Sequence, residues 1–190
     1  MTVSSVATGY DGISLLAGNA AYNPPGNYES IATVIVGSGG ASEINFTSIP
    51  GTYASLQVRY IARHSTTDDT IGFQFNADTG SNYARHRLSG DGSSASSAAV
   101  TSGTRGTAGT ANNTANTFMV SIMDILDYTD TNKYKTVRIL PGRDYNGSGD
   151  IQLLSTLWMN TNAITSIKFY FESAGNFAQY SKFALYGIKD

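Results

Sequence analysis

The chain has 190 residues, of which 41% are hydrophobic and only 14% charged, and its formal net charge is −2. That length suits one domain with a real core plus an appendage. The near-neutral charge argues against electrostatic capture by nucleic acid or an anionic membrane surface, and the absence of cysteine excludes disulfides and thiolate metal sites. The charged fraction is well below the roughly 25% of an average domain. Ser, Thr, Asn and 20 glycines take its place, which fits a chain that packs closely against copies of itself.

The first stretch, MTVSSVATGYDGISLLAGNA, has no basic n-region and no sustained apolar run, so no signal peptide is expected. No segment approaches the roughly 20 apolar residues of a membrane helix. The expectation is a soluble protein made in the cytoplasm, with neither membrane nor nucleic acid as partner. Residues 1–27 carry short apolar islands (Val3, Val6, Ile13, Leu15, Leu16) and end in Asn23-Pro24-Pro25-Gly26-Asn27. Two prolines fix φ and remove two donors, so this reads as an extended arm and hinge. Residues 28–190 then read as the folded domain.

Strand signals follow closely. YESIATVIV (28–36) is β-branched and stops at GSGG; SEINFTSI (42–49) alternates Ile44 and Phe46 with polar residues, and Pro50-Gly51 turns the chain. YASLQVRYIAR (53–63) is the clearest strand, with Leu56, Val58, Tyr60 and Ala62 on one face. TIGFQFNA (70–77) places Phe73 and Phe75 together, and SNYARHRLSG (81–90) reads as a further strand. Residues 89–116 are almost wholly Gly, Ser, Ala, Thr and Asn. With little apolar surface to offset ordering costs of roughly 1–2 kcal/mol per residue, they are expected to form a long surface excursion, with a poorly paired strand near 97–101.

Regular structure returns at TFMVSIMDIL (117–126), a central strand with Phe118, Val120 and Ile122 on one side. YKTVRIL (134–140) is expected to break at Pro141-Gly142, Asn146-Gly147 marks a hairpin-like turn, and IQLLSTLWMN (151–160) follows. The final stretch, 163–188, holds two strands separated by a polar turn at Gly175-Asn176, with Phe169, Phe171, Phe183 and Leu185 as core. About eight or nine antiparallel strands with Gly/Pro punctuation and no helical period predict an all-β fold, a jelly-roll β-sandwich with an extended N-terminal arm.

Chemistry-bearing constellations are sparse. His64 stands beside Asp68 and Asp69, a composition that suits a solvated corner better than a metal site. Arg85 and Arg87 flank His86 and share one face of a strand. Asp124, Asp127 and Asp130 lack EF-hand spacing, and Asp144 and Asp150 flank another turn. No nucleophile elbow, P-loop or HExxH motif occurs. The expectation is no enzyme, no catalytic residue, no cofactor and no metal. Of the 12 tyrosines, Tyr134, Tyr145 and Tyr180 fall at strand ends or turns, where a ring face would meet a sugar or a neighbouring subunit.

The blocks YESIATVIVGSGGASEINFTSIPGTYASLQVRY, FNADTGSNYARHRLSGDGSSASS, ANTFMVSIMDI and LWMNTNAITSIKFYFESAGNFAQYSKFALYGI resemble, in that order over residues 28–188, a family of small phage virion proteins with a jelly-roll domain. Such domains serve as head-decoration, head-fibre and tail or receptor-binding proteins. The resemblance implies a structural role without catalysis. The leading expectation is a capsid decoration (cement) protein on the outer surface of the virion, a homo-oligomer, most simply a trimer. Its arm (Val3, Val6, Tyr10, Ile13, Leu15, Leu16, Tyr22, Pro24, Pro25) would bind the major capsid protein or another virion protein. The alternative is a tail-fibre or receptor-binding module that recognises a host glycan.

Overall fold

In the computed structural model, which describes residues 27–189, the period-two segments become strands with their apolar parity turned inward. Β-structure accounts for every regular element among the described residues: β1 (Tyr28–Ile35), β2 (Glu43–Phe46), β3 (Ser55–Ala62), β4 (Asp69–Phe75), β5 (Tyr83–Gly90), β6 (Ala95–Gly103), β7 (Gly106–Ala111), β8 (Met119–Leu126), β9 (Lys135–Asp144), β10 (Gly149–Trp158), β11 (Ile167–Phe171) and β12 (Lys182–Ile188). They form an eight-stranded sheet in the order β1-β12-β3-β8-β9-β10-β5-β6 and a four-stranded sheet in the order β2-β11-β4-β7. Every strand pair is antiparallel. The chain is therefore an all-β protein of two sheets, with 12 described strands where about eight or nine are expected from the sequence. The arm, residues 1–27, lies outside the described residues except for Asn27.

Between the sheets lies an aromatic core. Tyr60 stacks on Phe183 at 4.8 Å, and Phe169 lies 5.3 Å from Phe183 and 6.3 Å from Phe73. Phe75 meets Trp158 edge-on at 5.5 Å. The expected core residues Phe169, Phe171, Phe183 and Leu185 are all buried, each such side chain contributing about 1.5–3 kcal/mol. Β11 and β12, consecutive in sequence, lie in different sheets, so the segment around Gly175 is a crossover between layers. Buried polar tips find partners, as a low-dielectric interior requires: Tyr60 donates to the Ala108 carbonyl at 2.5 Å, Tyr83 accepts from the Phe75 amide at 2.9 Å, and Trp158 donates to Asp78 at 2.8 Å.

Two expectations fail because of contacts made between strands. Residues 89–116 are not a long loop: they complete β5, form β6 and β7, and leave only short connections. Residues 106–109 of β7 are buried because small residues are what fits there. A Cβ on Gly106 would lie 2.1 Å from the Phe73 ring, and one on Gly109, whose φ is +111°, 2.6 Å from Pro141. The composition that suggests solvent exposure is a requirement for backbone to lie directly on core side chains. Likewise Pro141 does not end its strand. Β9 runs through Pro141-Gly142 to Asp144, pairing Pro141 with Ser121 of β8, while the β10 ladder skips from Gly142 to Ile139. The missing amide thus falls where no ladder bond is made.

Gly106→Val should lower stability by about 1–3 kcal/mol or more through overpacking against Phe73. Gly39→Ala, which meets nothing within 4 Å, should stay within about 0.5 kcal/mol of the parent. Urea unfolding midpoints of the two variants compare them directly.

Candidate functional site

The large sheet has a solvent face that is unusually apolar. In one row across the strands stand Ile122 of β8, Leu140 of β9, Leu153 of β10 and Leu88 of β5; Ile122 pairs with Leu140, and Leu153 with Leu88. The next row carries Ile35 of β1, Ile61 of β3, Val120 of β8 and Ile151 of β10, with the exposed Lys182 of β12 standing between Ile35 and Ile61 as the register partner of both. Ile61 pairs with Val120, and Gly142 separates Val120 from Ile151. The eight apolar side chains keep between 39% and 65% of their surface exposed. Their strand neighbours of opposite parity, such as Met119, Met123, Ile139 and Leu154, are buried. Β8, β9 and β10 are therefore apolar on both faces over part of their length, one face serving the core and the other solvent.

Charge borders this band unequally. On one side Asp91 and Asp144 share a groove of about 700 Å³ with Phe118, Val120, Gly142 and Ile151. Asp91 accepts from the Ser93 and Ser94 amides at 2.9 and 2.7 Å, which holds its carboxyl well below the usual range. On the other side Arg138 is the register partner of Asp124 and Ser155, and Ser155 of His86. Arg59 ends the Ile122 row and is held by Gln57 at 2.5 Å, which also donates to Asp124 at 2.7 Å. Its guanidinium lies 5.3 Å from the ring centroids of both Tyr28 and Tyr186.

The site residues expected from sequence do not converge. Val3, Val6, Tyr10, Ile13, Leu15, Leu16, Tyr22, Pro24 and Pro25 lie outside the described residues. Tyr134 and Tyr145 stand at opposite ends of the ten-residue β9, about 30 Å apart at the rise of an extended strand. Tyr180 is 66% exposed before β12, near a different edge. Arg143 lies 5.6 Å from the Tyr145 ring centre and bridges Asp68, at 2.9 Å, and Asp150, while Tyr134 shares a separate concavity with Asp124, Asp127, Lys133 and Arg138. Asp127 and Asp130 are engaged by Lys133 at 2.6 and 3.5 Å. Among the described residues no three His, Asp or Glu side chains converge as metal ligands. Arg85 and Arg87 do share a face, but it is the inner one, where Arg85 donates to Thr107 at the edge of β7. His86 points to the outer face.

His64 does not sit in a solvated corner. It is fully buried, edge-on to Phe171 at 4.3 Å, and a Cβ on Gly175 would lie 2.2 Å from its Nε2. The amides of Thr66 and Thr67 donate to Nδ1 at 3.1 and 2.9 Å, so Nδ1 carries no proton. Burial lowers the imidazole pKa against the opposing pull of Asp69 and Asp68. Its role is to close the β3–β4 corner over Phe171.

Comparison with family models, curated proteins and solved structures finds no match to this chain. The residues that matter most on the outer face were not singled out by motif reasoning. The available signal was the run of apolar residues on both parities of β8 and β10, which suits a core strand buried on both faces equally well.

Because the folded pKa of His64 is lowered, the unfolded chain binds the proton first. Stability from this corner should be complete above the unfolded value of about 6.5 and decline as pH falls below it. Thermal midpoints of the parent should therefore drop between pH 7 and 5, and His64→Gln should flatten that slope. An equal drop in both proteins would exclude His64 as its source.

Proposed function

We propose that the chain is a structural protein of a phage virion, a capsid decoration (cement) protein that works by binding other proteins on the outer capsid surface. The observation that carries this reading is the apolar band on the large sheet, a surface that gains free energy when another protein covers it. The virion setting comes from the resemblance of residues 28–188, and the strand order supports the fold it implies. With β5, β6, β9 and β10 set aside, the remaining strands read β1-β12-β3-β8 and β2-β11-β4-β7. Successive strands alternate between layers except β4 and β7, which pair within the small sheet, as in two interlocked Greek keys, so we read the domain as a jelly roll with two inserted hairpins. The arm, through Val3, Val6, Ile13, Leu15 and Leu16, would contact the major capsid protein, and repetition over the shell would multiply shallow contacts of a homo-oligomer. No cofactor enters this role.

The groove beside Tyr145 favours a second reading. Carboxylates of Asp91 and Asp144, the Phe118 ring and glycine backbone line one concavity, a combination suited to a sugar. A tail-fibre or receptor-binding module recognising a host glycan would use it.

Deleting residues 1–24 should abolish binding to arm-free capsids while leaving the circular dichroism of a folded β-protein. Normal decoration by the truncated chain would remove the arm from this role. Virion images with density on the tail alone, together with glycan-array hits lost in Tyr145→Ala, would favour the second reading.

A further inference from the structure

We propose that the apolar band of the large sheet is the contact between two copies of this chain, packed face to face about a two-fold axis that runs along the band. The inference deepens the assembly reading above and rests on it only in taking the face as one that protein covers.

Size is the first argument. Eight aliphatic side chains about half exposed present on the order of 700 Å² of apolar surface. That exceeds the roughly 300–600 Å² of the largest patch on a typical monomer and approaches the ~800 Å² each partner brings to a stable complex. The surface is also flat sheet, and two such faces pack about 10 Å apart with interdigitating side chains, as layers of a sandwich do. Phe118 and the glycines Gly90 and Gly142 border the aliphatic side chains, leaving room for a partner's side chains to enter.

Symmetry is the second. One patch that packs on its own counterpart makes an isologous contact, which closes as a two-fold pair. A three-fold ring, the oligomer expected from the sequence, needs a second patch complementary to the first.

Charge order sets the axis. One side of the band carries Asp91, Asp144, the Arg143–Asp150 ion pair and Arg63 over Phe118, and the other Arg59, Arg138 and Asp124, with Lys182 inside the band itself; the first margin is net negative and the second net positive. An in-plane two-fold axis along the band reverses strand direction in the second copy. It thereby lays the acidic margin of each copy over the basic margin of the other. An axis along the strands would set like on like, which opposes association. Arg138 and Asp144 form no ion pair among the described residues, so both are free to meet a partner's charge.

The test is sedimentation and light scattering of the purified full-length chain. The expected mass is twice that of the chain. Leu153→Lys and Ile122→Lys, both at exposed positions, should give monomers with an unchanged circular dichroism spectrum. Arg138→Glu alone and Asp144→Arg alone should each weaken association roughly tenfold, since each sets like charges together twice per pair. An equimolar mixture should recover it, because each variant then meets its complement at both contacts. A monomeric or trimeric parent, a dimer indifferent to both lysine variants, or charge variants that fail to rescue one another would overturn the arrangement. A dimer that does not bind capsids keeps the interface and removes the decoration reading; a monomer that decorates capsids does the reverse.

Discussion

The ring of Phe73 occupies the space that a side chain on Gly106 would fill, and much of the sandwich depends on that contact. Phe73 is fully buried, 5.0 Å from Phe75 and 6.2 Å from Tyr83 in ring-to-ring distance. It is also the register partner of Gly106 and Phe169. With no side chain at Gly106, the Phe73 ring lies across β7, its neighbour in the narrow sheet, and the Ala108 carbonyl of β7 meets the Tyr60 hydroxyl of the wide sheet at 2.5 Å. Gly109 likewise leaves room for Pro141 and Met119. Interiors pack at crystal-like density, so a side chain at Gly109 would hold the narrow sheet off β8 and β9, and one at Gly106 would displace the Phe73 ring.

Closing four strands over eight leaves polar groups at the margins of the core, each met by a specific partner. Trp158 ends β10 by donating to Asp78. Burial alone would raise that carboxyl's pKa, but hydrogen bonds from Asn82, Trp158 and the Gly80 amide hold it below its ordinary value. Lys135 begins β9 fully buried, its ammonium donating to the carbonyls of Asp130, Lys133 and Thr161. Burial lowers its pKa and Asp130 acts in the opposite direction. Three oxygen acceptors around one ammonium tie the β8–β9 turn to the segment after β10. The added hairpin is thereby joined to the sandwich by charge-assisted hydrogen bonds as well as by its ladder.

Much of this fold was legible in the residues. Leu56, Val58, Tyr60 and Ala62 alternate in β3 as one buried face, and Val137 and Ile139 do so in β9. Period-two burial depends only on the geometry of a half-buried strand. What escaped depended on contacts distant in sequence. Nothing near Gly106 announces Phe73, and nothing near Pro141 announces a ladder that skips its position. His64 reads like its polar neighbours until Phe171 and Gly175, more than 100 residues later, are folded over it. The candidate site was hidden differently, since residue type alone marks Tyr134, Tyr145 and Tyr180 and the topology sets the first two at opposite ends of the central strand β9.

Alternation fails to separate two physical situations that look alike in a chain: a strand buried between two core layers, and a strand with one core face and one face kept apolar for a partner. Β8 has Met119, Met123 and Ile125 inside and Val120, Ile122 and Leu126 outside; β10 has Leu154 inside and Ile151 and Leu153 outside. What distinguishes the second situation is company. A strand buried on both faces has apolar neighbours on both, whereas the outward row of β9 mixes Leu140 with Thr136 and Arg138, and that of β3 mixes Ile61 with Arg59. Charges stand at the margins of the apolar band and, as Lys182 between Ile35 and Ile61, within it, which marks a surface patch rather than a second core. The band's side chains come from β5, β9 and β10 and equally from β1, β3 and β8. The hairpins that widen the large sheet thus carry Leu88, Leu140, Ile151 and Leu153 on the outer face and Tyr83, Val137, Ile139, Leu154 and Trp158 in the core, so the same strands serve both surfaces.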